Sequence, residues 1–540
     1  MKETPMEPHF ALNIRQILWA PAGRNPDQVI IDENGRPRRY GEFHERIGRL
    51  GAALTQLGFG VGSTIAVMDW DTPRYLECFF AIPMIGATLH TVNIRLSPEQ
   101  ILFTINHAED DAILCHEDFL SILLPLLPRV TRPVSLVLLT DRDDAPQPKG
   151  FVGEYEAMLR AQTSGFVFGN LPEETRATLF YTTGTTGDPK GVSYTHRQLV
   201  LHTLAVSADL GTVPGAGGLK RDDVYMPITP LFHVHGWGFP YIATFLGLKQ
   251  IYPGRYDPAR LLALIAENGV TFSHCVPTIL AMVLGAPEAA TTDLTRWKVL
   301  IGGSALSEGL ARQARGVGID VHAAYGMSET CPFVTHADMV ASQISDDLTL
   351  RTATGKPAPL VEVRVVGPDM VDVPKDGITT GEVITRAPWL TNAYLKQEDA
   401  SAEWWREGWL HTGDVGCLSP DGTVRITDRL KDVIKSGGEW VSSLALENFA
   451  STVPGLIEVA AVGVPDAHWG ERPVLIVVME ESEAVVPLIR ERIGAAISRG
   501  DLPKWAAPDR ICMVASLPRT SVGKIDKKRI RQMLETGEIA

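Results

Sequence analysis

From Gly41 to Leu57 the apolar residues recur at helical spacing and stop at Gly58 and Gly60, which predicts an amphipathic helix. Thr64-Ile-Ala-Val-Met68 then reads as a strand, and Tyr75 to Gly86 as a second amphipathic helix. The alternation continues through apolar runs at Ala112–Cys115, Ser135–Leu139, Ile251, Thr271–Cys275 and Lys298–Gly302. Short apolar strands separated by helical stretches predict parallel sheets covered by helices.

After about residue 355 the pattern changes. Val361–Val366, Gly381–Thr385 and Thr423–Thr427 are short, alternating and punctuated by glycine, as in a small antiparallel barrel or sheet. Asp428–Lys435 is densely charged. Beyond it, Ile457–Val464 and Val474–Met479 read as strands of a compact α/β tail. The predicted class is α/β: a large N-terminal domain of helix-covered sheets plus a small β-barrel over residues 1–428, a hinge at 429–431, and a small mobile α+β domain over 432–540. No proline-rich linker marks the junction, which favours a hinge over a tether.

A chain of 540 residues is too long for one core, consistent with several domains. A net charge of -14 argues against general nucleic-acid binding, which needs basic surface. A local basic pocket for a polyanion remains compatible with it. The six cysteines are scattered, without disulfide or metal-ligand spacing, and read as reduced thiols. With no signal-peptide layout and no apolar run of about twenty residues, the expected location is cytoplasmic, with no integral membrane segment.

The segment Tyr181-Thr-Thr-Gly-Thr-Thr-Gly-Asp-Pro-Lys-Gly-Val-Ser193 follows the apolar run Ala177–Phe180. Its glycines allow backbone N–H groups to face an anion, its threonines add hydroxyl donors, and Lys190 adds a point charge suited to phosphate. The spacing is not that of a P-loop. Four further segments follow in order: Ala324-Tyr-Gly-Met-Ser-Glu-Thr330, Gly408-Trp-Leu-His-Thr-Gly-Asp414, Ile426–Glu439 and Leu517–Asp526.

Together the five segments resemble the adenylate-forming superfamily of acyl-CoA synthetases, luciferases and peptide-synthetase adenylation domains, over roughly residues 15 to 530. Pro227–Trp237 and Lys435-Ser-Gly-Gly-Glu-Trp440 look most like the fatty acyl-CoA synthetase branch, which also includes 3-methylmercaptopropionate ligases. The resemblance implies an AMP-forming acid–thiol ligase that uses ATP, Mg²⁺ and coenzyme A. It also makes a homodimer through the N-terminal domain an expected possibility.

By the same resemblance, Thr182, Thr183, Gly184, Thr185, Thr186, Gly187 and Lys190 would hold the β and γ phosphates. Glu329 would ligate Mg²⁺, and Thr330 or Thr185 would touch the α-phosphate. Tyr325 and Gly326 would face adenine, with Gly302, Gly303 and Ser304 between adenine and the acyl carboxylate. Asp414 would accept the ribose hydroxyls, supported by Arg429. Lys524 would bridge acyl carboxylate and α-phosphate as the catalytic cation. Lys431 would be the hinge of a domain rotation that brings Lys435, Gly437, Gly438, Glu439 and Trp440 to the pantetheine arm.

For the acid, His233 would lie beside the carboxylate, Trp237 matches a tryptophan that gates the fatty-acyl tunnel, and Trp389 would close another wall. The aromatic and small residues of Phe232–Phe239 suit an apolar tail. A medium- to long-chain fatty acid is the favoured substrate, with the short thioether acid as the alternative if Trp237 stays shut.

Taken one at a time these residues have ordinary readings. Glu329 after Ser328 caps a helix, Asp414 ends a turn, Asp428–Lys435 is a solvated strand end, and Lys524 is a surface lysine in a basic tail. A peptide-synthetase domain would place an aspartate for the substrate ammonium, and residues 225–240 offer none. A luciferase-type oxygenase and a non-catalytic nucleotide sensor are the other rivals.

Overall fold

The computed structural model describes residues 10–142, 148–182, 188–213, 217–345, 347–437, 439–479 and 485–539. Two large sheets form the body. The first runs, edge to edge, Phe151–Glu154, Ser135–Leu139, Ala112–His116, Thr64–Met68, Thr88–Thr91, Arg176–Thr182 and Lys190–Thr195. The second has Phe272–Cys275, Lys298–Ile301 and Asp320–Tyr325 side by side, all parallel.

Both sheets are mixed, where the apolar pattern alone predicts parallel ones. Lys190–Thr195 pairs antiparallel with Arg176–Thr182, with Thr182 opposite Lys190. Seven residues separate the two strands, too few for the crossover that a parallel pair needs. Val29–Ile31 and Pro37–Arg39 are joined equally tightly and are also antiparallel.

The helix Tyr40–Gln56 buries Tyr40, Phe43, Ile47, Leu50 and Leu54, a single 3-4 stripe. The helix Pro73–Met84 is buried on every side. Thr72 caps it by accepting from Tyr75 N, and Pro73 starts it. Burying Glu77 within it requires compensation, which comes from Arg46 Nε at 2.7 Å, Arg38 Nη1 at 2.8 Å and the Tyr155 hydroxyl at 2.6 Å.

Glu362–Val366, Gly381–Arg386, Trp409–Leu418 and Val424–Arg429 form an antiparallel sheet with Trp405–Arg406. Asp414 and Arg429 face each other across it. From Ile434 onward the chain has apolar cores of its own. Ile434, Leu446, Leu475 and Ile489 lie on one side of a final sheet, and Val462, Ile476, Cys512 and Ile530 on the other. All six cysteines are free and buried.

Candidate active site

A narrow cleft lies where the second sheet meets the tail. His233, Trp237, Gly302, Gly303, Tyr325, Gly326 and Lys524 line it, with Leu300, Met327, Ser328 and Phe333. Residues almost 300 apart in sequence therefore converge on one space.

Lys524 arrives on the turn Thr520–Lys524, closed by Gly523 N to Thr520 O at 2.9 Å and Thr520 N to Lys524 O at 2.8 Å. The turn is docked on the large domain. Thr278 Oγ1 donates to Gly523 O at 2.8 Å, and Asn93 Nδ2 to Ser521 Oγ at 3.1 Å. Lys524 then lies over Gly303, where a β-carbon would meet its Cε at 3.1 Å. Gly303 also has φ +76, a conformation that disfavours any side chain. Burial, with Arg429 nearby, lowers the Lys524 ammonium to about 8.

Asp414 is buried, accepts from the Tyr325 hydroxyl on Oδ2 at 2.7 Å and pairs with Arg429 Nε through Oδ1 at 3.1 Å. The three groups fix one another at the cleft edge. Glu329 is buried in a short 3-10 turn, Ser328–Thr330, and accepts from the Tyr394 hydroxyl at 2.6 Å. Burial raises its carboxyl above the usual range. Neither carboxylate is the solvated turn residue that its local sequence allows. Asp428 is likewise buried and accepts from the backbone N–H and hydroxyl of Ser443.

Two expectations change. Thr330 is fully buried, and its hydroxyl both donates to Met327 O and accepts from Met327 N, so it pins the turn rather than facing the cleft. Ser328 lines the cleft instead. Trp389 is also fully buried and donates from Nε1 to Thr330 O at 3.0 Å. It props the Glu329 turn from beneath and is no part of the cleft wall. Ser304 sits exposed at the rim beyond Gly303.

The segment Val234–Gly238 has five successive positive φ angles, of 48, 54, 57, 59 and 72°. Three of these residues carry side chains, each at a cost of about 1–2 kcal/mol. The turn is held by Gly236 N to His233 O and Gly238 N to His235 O, and its approach by Leu231 N to Asp71 Oδ1 at 2.9 Å. It turns Trp237 onto Gly302, where a β-carbon would meet the indole at 3.2 Å. Burial and the nearby Lys524 push the His233 imidazole down to about 3, so it is neutral.

Of the phosphate loop, Thr183, Gly184, Thr185, Thr186 and Gly187 lie outside the described residues, as does Gly438. Thr182 and Lys190 face each other at the base of that loop. Lys190 Nζ rests 4.7 Å from the centre of the Tyr394 ring. Lys435 and Trp440 are paired across a hairpin, Ile434–Ser436 with Glu439–Val441, and are exposed, Trp440 by 52%. That hairpin, with Gly437, contributes nothing to the cleft lining. Lys431 is exposed in the turn between Arg429 and Val433. Tyr394 is the clearest residue missed in the sequence: no motif surrounds it, and only folding brings it to Glu329.

The AMP-binding enzyme family matches residues 18–395, and the AMP-binding enzyme C-terminal domain matches 445–524. The chain belongs to this family of adenylate-forming enzymes. Its class is the AMP-forming acid–thiol ligases, which make an acyl adenylate and then a thioester. It is 39% identical to the long-chain-fatty-acid–CoA ligase of Thermus thermophilus over 91% of this chain and 89% of that protein. It is 36% identical to the 3-methylmercaptopropionyl-CoA ligase of Ruegeria lacuscaerulensis over 93% of each chain. The anthranilate CoA ligase AuaEII in complex with anthranoyl-AMP shares the fold, with TM-score 0.87 and 21% identity over 98% of this chain and 99% of that one. Among the described residues, no helix is long and apolar enough to cross a membrane.

Proposed function

We propose that the protein joins a medium- to long-chain fatty acid to CoA, with Lys524 as the cation of the first half-reaction. The observation that carries this reading is the placement of Lys524 over Gly303, in one cleft with Tyr325, His233 and Trp237. A carboxylate and an α-phosphate brought together there are both anionic. An ammonium group between them lowers their repulsion most in the transition state, where charge concentrates.

In this reading Tyr325 and Gly326 receive adenine, Asp414 accepts the ribose hydroxyls, and Arg429, paired with Asp414 Oδ1, fixes its orientation. Thr182, Lys190 and the loop between them hold the outer phosphates. Ser328 replaces Thr330 at the α-phosphate. Glu329 suits Mg²⁺: it is a buried carboxylate held by the Tyr394 hydroxyl, and burial raises its pKa above the usual range. Bound there, the ion would neutralise phosphate charge. Neutral His233 offers an N–H to the acyl carboxylate without competing with Lys524 for charge.

The carboxylate oxygen attacks the α-phosphorus and pyrophosphate leaves. The CoA thiolate then attacks the acyl carbonyl and AMP leaves. The second step needs Lys524 withdrawn, and rotation about Lys431 would exchange it for the hairpin carrying Lys435, Gly437 and Trp440. The domains so assigned are 1–428 and 432–540.

An apolar tail fits because His274, packed against Trp237, is neutral and satisfied. Thr229 Oγ1 donates to His274 O, so His274 Nδ1 donates to Thr229 and its Nε2 accepts from Tyr225. The contact of Trp237 with Gly302 favours a second reading, a short thioether acid, if the indole stays in place. AMP release measured across fatty acids of increasing length and 3-methylmercaptopropionate decides between them. Highest kcat/KM on the thioether acid would overturn the fatty-acid assignment, and release only with amino acids would overturn both.

A further inference from the structure

The tail domain touches the large domain at a second place, remote in sequence from the Lys524 turn. The helix Ser443–Ser451 ends against the beginning of the helix Glu308–Gly316. Ser451, the last residue of the first helix, thus sits against Gly309 in the first turn of the second. Ser307 caps the second helix by accepting from Leu310 N. The Glu308 N–H, which has no partner inside its own helix, is taken by Asn448 Oδ1 of the tail at 2.9 Å. Asn448 Nδ2 reaches back to Glu308 Oε1 at 3.4 Å.

Beside this exchange lies Gly309, which is buried. A β-carbon at that position would stand 2.1 Å from Ser451 O and 2.8 Å from Ser451 C. Both atoms are backbone, so no side-chain rotation can make room. A carbon and a carbonyl oxygen normally approach no closer than about 3.3 Å. An alanine there would drive the helix end back by roughly an ångström.

We infer that Gly309 and Asn448 form a latch that holds the tail domain in the arrangement with Lys524 inserted. They are positioning residues for acyl-adenylate formation. The inference rests on the proposed two-step reading, in which the tail must leave for thioesterification. The latch and the Lys524 turn are separate contacts on one rigid domain, and a shift at the first is carried to the second. Misplacement by about 1 Å of a group that acts on the reacting atoms costs up to about 100-fold.

The test measures the two half-reactions separately in the full-length protein: pyrophosphate release with acid and ATP, and thioester formation from supplied acyl-AMP and CoA. Gly309→Ala is expected to lower the first by about 10- to 100-fold. It should hold the second within about twofold. Asn448→Ala, which leaves the backbone untouched, should show the same split at about fivefold. Pyrophosphate release unchanged in both variants would overturn the latch. So would an equal loss in both half-reactions, which marks a merely structural role. Lys524→Ala is the control: if it fails to separate the half-reactions, the two-step reading is wrong; if it separates them and the latch variants do not, only the latch is wrong.

Discussion

Two loops of the tail domain carry similar chemistry and stand in opposite surroundings. The Thr520–Lys524 turn and the hairpin from Lys435 to Trp440 each combine a lysine with a glycine at positive φ, Gly523 at +83 and Gly437 at +63. One is docked in the cleft, its lysine lowered to about 8 by burial. The other is exposed, with Lys435 and Trp440 in solvent. On the proposed two-step reading, the tail domain holds one face in use and another in reserve. That reading also explains why both segments are read as functional from sequence although only one reaches the site here.

The sharpest way to break the comparison is Lys524→Ala. Pyrophosphate release should fall by about 10²–10³-fold, the range for losing one group that stabilises transition-state charge. Thioester formation from supplied acyl-AMP should stay within a few-fold. Equal losses in single-turnover assays of each step would remove the division between the two faces.

The reciprocal variant is Trp440→Ala. Adenylation should be unaffected, while KM for CoA in the second step rises by roughly tenfold, as expected for a lost aromatic contact. An unchanged KM would leave the exposed hairpin without its assigned role.

The titration of Lys524 sharpens the contrast. Its ammonium form is populated below about 8 and is lost as pH rises through that value. Pyrophosphate release, as kcat/KM, should therefore decline above pH 8, by about tenfold per unit at most. The decline should be absent from the residual activity of Lys524→Ala; its persistence there would assign the limb to another group.

The smallest effect is expected from Tyr394→Phe. The variant removes the hydroxyl that holds Glu329 Oε1. A few-fold rise in the Mg²⁺ concentration needed for half-maximal pyrophosphate release is expected, as for loss of an outer-shell partner. No change in Mg²⁺ dependence would separate Glu329 from the metal.

Much of the local structure was legible along the chain. Thr64–Met68 and Ser135–Leu139 are strands over the expected residues, because continuous apolar runs of four can bury both faces. The expected helix at 41–57 is Tyr40–Gln56. The candidate site was less evenly legible. Glu329, Asp414 and Lys524 stand in recognisable segments, yet Thr330 and Trp389 were misjudged. Thr330 lies two residues from Ser328, and a short step in a tight turn reverses which side chain faces a cleft. Tyr394, Thr278 and Asn93 carry no local signal, because their partners are supplied by turns distant in sequence.

The amino-acid order alone determined the alternation of strands and helices, the glycine- and threonine-rich composition of the segment 181–193 and the order of the five segments, since periodicity, glycine and charge act over a few residues. Tertiary structure alone decided that Lys524 lies over Gly303, that Tyr394 holds Glu329, and that Gly309 meets Ser451. Those contacts depend on how rigid elements pack across 65 residues or more, a distance over which no local propensity carries information.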